Sequence, residues 1–434
     1  MLYKSLNKIS SQEYFNNAVI NGIAQDKGLY FPSKINKLSK DFISNIQNLN
    51  NHEIAFNVIY QFIGNCIPKK DLMGIIEDTL NFDFPINKIE KNIFSFELFH
   101  GPSLAFKDVG ARFMARCLAY FNRNSKEKFT VLVATSGDTG GAVANGFYKI
   151  KNVNVIILYP KGKISSIQEK QITNLGENIT PIEVNGVFDD CQRMVKNVFI
   201  DDEINKIHKV TSANSINIAR WLPQMFYYFF IYKKLYYKNT PIVVSVPSGN
   251  FGNICAGLLA NKIGLPIDTY IASTNLNDSV PRFLNSGIYK PISTIKTISN
   301  AMDVADPSNF VRIQKLYNND LNKLKMNLFS YSFNDYETKE SIKSVYIKSK
   351  YILDPHGAIG YLGLKEFFKR NNNFIGAFME TAHPIKFHET VEKLIHKKIP
   401  VPSQLSDIIN TKKGDTINIS NYDELKNYLL GTNY

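Results

Sequence analysis

Val131-Leu132-Val133-Ala134-Thr135-Ser136-Gly137-Asp138-Thr139-Gly140-Gly141 runs from small and β-branched apolar residues straight into a glycine-rich turn. Ile242-Val243-Val244-Ser245-Val246-Pro247-Ser248-Gly249-Asn250-Phe251-Gly252-Asn253 repeats the arrangement. Each reads as a strand, a small-residue turn and the start of a helix. An apolar run without alternation suits a strand covered on both faces, as in a parallel sheet. Working outward, strands are predicted over 129–134, 153–158, 179–184, 242–247, 269–274 and 373–380. Helices are predicted over 139–150, 165–175, 188–199, 217–238, 252–263, 307–325, 337–349, 357–370 and 384–396. Strands alternating with helices imply an α/β fold. The region is too large for one sheet, so two parallel-sheet lobes with a site between them are expected. Residues 1–92 are mainly helical in pattern, with Ile54, Val58, Ile59 and Phe62 at helical spacing, and suit a packing or lid role. The expected division is an N-terminal helical domain over 1–92, a large lobe from 93–125 with 220–434, and a small lobe over 126–219. Pro291 to Asp306 reads as a long loop.

Strand–turn–helix units of this kind aim backbone N–H groups and a helix dipole at an anion. Neither turn is a G-x-G-x-x-G, and the chain lacks G-x-x-x-x-G-K-[ST], so the usual nucleotide fingerprints are missing. Lys107 adds a second signal. It follows Leu104-Ala105-Phe106, poor surroundings for an ammonium. Burial disfavours the charged form and lowers a lysine pKa, which makes Lys107 a candidate nucleophile and Schiff-base lysine. Most lysines beside apolar residues merely lay their stems on the surface, and glycine in a tight turn can be there only because it fits. Two cradles and one such lysine together suit a phosphorylated carbonyl cofactor, pyridoxal phosphate being the obvious one, with an anionic substrate.

The chain has 434 residues, 44% hydrophobic and 21% charged, enough for two or three domains with sizeable cores. Cys66, Cys117, Cys191 and Cys255 are far apart and lack C-x-x-C spacing. They read as small hydrophobes in a cytoplasmic protein, with no metal site expected. The N-terminus has no apolar core of a signal peptide, and the most apolar stretch, Met225 to Tyr232, is too short to span a bilayer. Net charge is +13. Its lysines are scattered rather than clustered, which fits compositional drift in an AT-rich genome better than a nucleic-acid footprint.

Taken together, Glu97 to Arg112, Ala134 to Gly141, Tyr159 to Ser165, Ser212 to Arg220, Val244 to Gly252, Ser299 to Val304 and Thr381 to Phe387 resemble the threonine synthases. Gly22 to Pro32 resembles that family's N-terminal motif, in its longer bacterial and fungal form. The resemblance implies a fold type II, tryptophan synthase β-like pyridoxal-phosphate enzyme with a mainly helical N-terminal domain. It implies that Lys107 carries the cofactor. Gly249, Asn250, Phe251, Gly252 and Asn253 would hold the cofactor phosphate, and Thr381 would meet the pyridine nitrogen. Asp138 stands where shorter family members have Asn, and joins the cofactor contacts. Thr135, Ser136, Gly137 and Thr139 would contact the substrate carboxylate and cofactor face. Asn214, Ser215 and Arg220 would grip the substrate phosphate, a task suited to a bidentate guanidinium.

The implied reaction is O-phospho-L-homoserine plus water giving L-threonine plus phosphate, in the cytoplasm, by a monomer or dimer that binds neither membrane nor nucleic acid. Other fold type II chemistry, such as threonine dehydratase or β-replacement, needs no grip on a second phosphate. A basic nucleic-acid-binding homologue is the rival from another class. Arg220 can also be read as a surface residue at a helix start, Thr381 and His383 as caps before Pro384, and His100 as a core histidine.

Overall fold

The computed structural model describes residues 1–124, 128–236 and 240–431. The two quoted stretches fold as expected. Phe129–Ala134 and Ile242–Pro247 are buried strands, each running through its turn into a helix, Asp138–Phe147 and Gly252–Lys262. They belong to different sheets, so the chain has two lobes. The larger sheet runs in the order Leu328–Ser332, Thr269–Thr274, Ile242–Pro247, Ile375–Glu380, Ile93–Glu97, Ile86–Glu90. Its pairings are parallel except the last. The smaller is wholly parallel, in the order Ile417–Ile419, Ile179–Val184, Val153–Pro160, Phe129–Ala134, Lys209–Ser212.

Three elements cross the expected domain limits. Ile86–Glu90 lies within 1–92 yet hydrogen-bonds to the large sheet. Ile417–Ile419 lies within 220–434 yet forms the edge of the small sheet, and Leu425 and Leu429 of the following helix pack into that lobe's core. The limit between 125 and 126, residues 237 and 238, and the end at 434 lie outside the described residues. The N-terminal segment is mainly helical, with Asn51–Ile63 and Lys69–Thr79 its longest helices. It also carries an antiparallel sheet of Leu2–Ser5, Glu13–Tyr14 and Tyr30–Pro32, too short and irregular to show a period-two pattern.

Two long predicted helices break for local reasons. The stretch predicted over 217–238 divides into Ile218–Trp221, a tighter turn at Leu222–Gln224, and Met225–Leu235. Pro223, which has no N–H to donate, sits in the tighter turn. The stretch over 307–325 is Phe310–Leu316 and Leu321–Lys325. Between them Asn318 and Asn319 are left-handed, with φ of 53° and 59°, a conformation Asn tolerates.

A helix not anticipated from the sequence, Lys107–Asn122, positions the site. It crosses Asp138–Phe147 at Gly146, where a Cβ would stand 3.1 Å from the Ala111 carbonyl carbon and 3.2 Å from the Arg112 nitrogen. Glycine permits that approach without a shift of either backbone. It brings the first residues of the two helices, Lys107 and Asp138, to one cavity.

Candidate active site

The cavity opens where strands of both sheets end, at Ala134 and Pro247. That is the usual ligand crevice of parallel α/β sheets. Its free volume is about 970 Å³ including the mouth. Three helix N-termini, at Lys107, Asp138 and Gly252, line it. Their dipoles place positive potential inside.

Lys107 is held by a short antiparallel bridge between Ala105 and Ala382. Phe106 N donates to Thr381 O at 2.8 Å, and His383 N to Leu104 O at 3.0 Å. This sets Lys107 and Thr381, both cavity-lining, side by side. Leu104 takes a left-handed φ of 57° to make the turn. Burial draws the Lys107 pKa down to about 8; Asp138 opposes the shift, while Lys386 and Arg220 add to it. The lysine thus approaches the neutral form a nucleophile needs.

Of the loop Thr135 to Thr139, Ser136, Asp138 and Thr139 line the cavity. Thr135 departs from expectation. Its fully buried hydroxyl accepts from Gly137 N at 2.9 Å and Gly140 N at 2.8 Å, so it shapes the loop instead of facing a ligand. Gly137 packs on Gln168, whose Oε1 would lie 2.4 Å from a Cβ there. Asp138 is buried. Its Oδ1 accepts from Gln168 Nε2 at 2.9 Å and pairs with Lys386 Nζ at 2.7 Å. Burial opposes its ionisation, but Lys386, Lys107 and His356 outweigh burial and hold it well below the usual carboxylate range.

Gly249 to Asn253 form the expected cradle. Phe251 is left-handed at φ 57°, turning the chain into the helix at Gly252. The amides of Gly252, Asn253 and Ile254 are the first-turn donors a helix leaves without internal acceptors; Cys255 N is the first to find one, Phe251 O at 3.1 Å. Gly249 is required by close approach, since its Cβ would stand 2.7 Å from Met302 Cα. The Asn253 side chain is engaged in the core by the Tyr228 hydroxyl and Met379. Its contribution to the cradle is therefore its amide. Free amides at a helix start, a desolvated amine and the Thr381 hydroxyl together fit a phosphorylated pyridine aldehyde.

Asn214, Ser215 and Arg220 share this cavity. Asn214 Nδ2 donates to Ala134 O at 2.9 Å, tying its turn to the end of the small-lobe strand. Ser215 Oγ accepts from Asn250 Nδ2 at 2.8 Å and Asn309 Nδ2 at 3.2 Å, which ties this turn to the Gly249–Asn253 cradle. Arg220 is buried, 3% exposed, which excludes the surface alternative. One Nη donates to Ala213 O, yet its Nε is buried without a partner. Among the described residues no carboxylate lies within salt-bridge reach of it. Burial lowers its pKa to about 10, against the pull of Tyr227 and Asp108.

Several contributors were not anticipated. Arg312 is fully buried and donates to Tyr30 O at 3.0 Å, Ile216 O at 2.6 Å and Asn309 Oδ1 at 2.7 Å. It lies over the Trp221 ring, 4.4 Å away. His356 lines the cavity. Its Nε2 accepts from Ala301 N at 3.3 Å, and its Nδ1 is 2.5 Å from Asp354 Oδ1. Lys386 is fully buried. Its flanks, Ile385 and Phe387, are apolar like the Leu104-Ala105-Phe106 that precedes Lys107, and were the available signal. His383 is a cap, its ring accepting from Ile385 N at 3.1 Å. His100, half-buried, pairs with Glu97 Oε2 at 2.6 Å.

Residues 87–373 match the Pyridoxal-phosphate dependent enzyme family, and residues 2–80 match the Threonine synthase N terminus. The chain is 45% identical over 428 residues to threonine synthase of Buchnera aphidicola subsp. Baizongia pistaciae, covering 98% of this chain and 99% of that one. The chain belongs to the threonine synthase family. It matches the crystal structure of Escherichia coli threonine synthase with a TM-score of 0.94 at 38% identity, over 100% of both chains. For the pyridoxal-phosphate-bound threonine synthase of Brucella melitensis the TM-score is 0.91 at 32% identity, over 99% of each. The expected family, fold type II architecture and pyridoxal phosphate cofactor are thus borne out. Among the described residues no helix is long and apolar enough to cross a membrane.

Proposed function

We propose that the chain converts O-phospho-L-homoserine and water to L-threonine and phosphate. Arg220 carries the assignment of substrate. A buried guanidinium with an unpartnered Nε, in the same cavity as Ser215, Asn214 and the Gly249–Asn253 cradle, supports a second phosphate site. Pyridoxal phosphate, when bound, supplies the electron sink that lets protons leave the substrate's carbons. Lys107 would carry it, Gly249 to Asn253 would hold its phosphate, and Thr381 would meet its ring nitrogen. A neutral hydroxyl there leaves that nitrogen without a counter-charge. Ser136 and Thr139, on the loop that Thr135 shapes, would orient the substrate carboxylate. Lys107 is the group suited to move the proton at the substrate's α carbon, because its pKa near 8 lets it both accept and release one. The two lobes would limit water until it is needed as reactant. The enzyme would work in the cytoplasm, as a monomer or dimer.

Phosphate release from O-phospho-L-homoserine, with threonine identified as co-product, tests the reaction. Lys107→Ala should lose the visible cofactor absorbance and nearly all turnover. Release of a keto acid from threonine, with no use of the phosphorylated substrate, would favour the dehydratase alternative instead.

A further inference from the structure

Two lysines act on one buried carboxylate in this site, and only one of them touches it. Asp138 pairs directly with Lys386, at 2.7 Å. Lys107 has no carboxylate within salt-bridge reach among the described residues, although Asp138 lines the same cavity. Lys386 enters from the large lobe, on the turn Pro384–Phe387 that follows Thr381. Its side chain is fully buried, and its Nζ also donates to Ser103 O at 2.9 Å. Gln171 Nε2 donates to the same carbonyl at 3.0 Å, and Gln168 Nε2 to Asp138 at 2.9 Å. The ammonium is therefore fixed from both lobes.

We infer that Lys386 is a positioning residue that occupies Asp138 as its counter-ion and so keeps Lys107 free of an ion pair and able to react with the cofactor aldehyde. A carboxylate left alone in this cavity would turn to Lys107, the remaining lysine that acts on it. An ion-paired Lys107 would stay protonated and would be a poor nucleophile. The charged groups acting on Lys107 are Asp138, which favours its ammonium, and Lys386 and Arg220, which disfavour it. Those acting on Asp138 are Lys386, Lys107 and His356. Asp108, next in sequence to Lys107, is raised to about 6 by burial, with Lys386 and Arg112 opposing. The inference rests on Lys107 as the cofactor lysine.

The test uses apoprotein and added pyridoxal phosphate. The rate at which visible absorbance appears is followed against pH, and borohydride reduction with peptide mapping identifies the labelled lysine. In the unaltered protein the rate should rise with pH to a midpoint near 8. Lys386→Met releases Asp138 to Lys107, so the midpoint should move up by about 1–3 units, and the rate at pH 7 should fall about tenfold or more. Asp138→Asn should move it the other way. The double variant, with neither charge, should return close to the starting midpoint. A purely structural role for Lys386 would not be undone by removing its partner. An unchanged midpoint in Lys386→Met overturns the inference, as does a double variant that keeps the single variant's shift. If Lys386→Met does not fold, an Asp138→Asn midpoint that fails to fall overturns it alone. Labelling of a lysine other than Lys107 in the unaltered protein refutes the cofactor-lysine assignment instead, and so separates the two failures.

Discussion

Arg220→Ala separates stability from function at one side chain. Arg220 is buried, donates to Ala213 O, and keeps a buried Nε with no partner. In the free enzyme a buried cation without a counter-charge is a liability, costing several kcal/mol of desolvation even after relaxation. Its one hydrogen bond, from the guanidinium to a neutral carbonyl, returns about 1.5–3 kcal/mol. Truncation should therefore leave the ligand-free protein no less stable, with the direction of change upward. Function should move the opposite way. A charge-assisted bond to the substrate phosphate is worth about 1.5–3 kcal/mol, so kcat/KM should fall roughly tenfold to a hundredfold. Inorganic phosphate gives a second assay, by thermal unfolding of the holoenzyme. Saturating the unaltered protein at about a hundred times Kd should add about 2.7 kcal/mol of stability, and the variant should gain little. An unchanged kcat/KM, or phosphate stabilisation equal in both proteins, would refute the assignment of Arg220 to the second phosphate. A loss explained wholly by cofactor release would refute it too.

Gly252→Val should fold, because its Cβ would meet Asn309 Nδ2 at 3.3 Å and Ser215 Cβ at 3.5 Å, contacts that small shifts accommodate. Its methyls would enter the space before the cradle amides, so cofactor titration should show weaker affinity; equal affinity would give the loop another task. His383 is lowered by burial from 6.5 to about 4, against Glu97. A group depressed in the folded state stabilises above its unfolded pKa and loses that contribution as pH falls through the folded one. Thermal stability should therefore drop from pH 6.5 towards 4. His383→Asn, which keeps an acceptor for Ile385 N, should flatten that limb, and an identical limb in the variant would assign it to other groups.

The legible parts of this fold were those whose signal is local. Phe129–Ala134, Ile179–Val184, Ile242–Pro247 and Thr269–Thr274 announce themselves as short runs rich in β-branched residues and bounded by turns. The strands left unread are short, or depend on a distant partner. Ile417–Ile419 has three residues and is a strand only because Ile182 to Val184 lies beside it. The same division holds in the site. Lys107 and both glycine cradles could be read from their neighbours in sequence. Arg312, His356 and Lys386 are charged or polar residues whose importance comes from burial, and burial is decided by packing. Thr135 shows the converse. The motif singled it out as a ligand contact, but its hydroxyl accepts from the loop's own amides.

The small sheet closes with a strand from near the chain's far end, Ile417–Ile419 on Ile179–Val184, and a helix, Tyr422–Leu430, that covers the same lobe. During synthesis, Ile179–Val184 leaves the ribosome long before that partner exists. At ~5–20 residues per second the wait is on the order of ten seconds or more. Throughout it an apolar strand edge lacks its final neighbour, which is the kind of edge that recruits other chains. The lobe that supplies Asp138 and Ser136 is thus completed only after Ile375–Glu380, the latest strand of the large sheet, has been made.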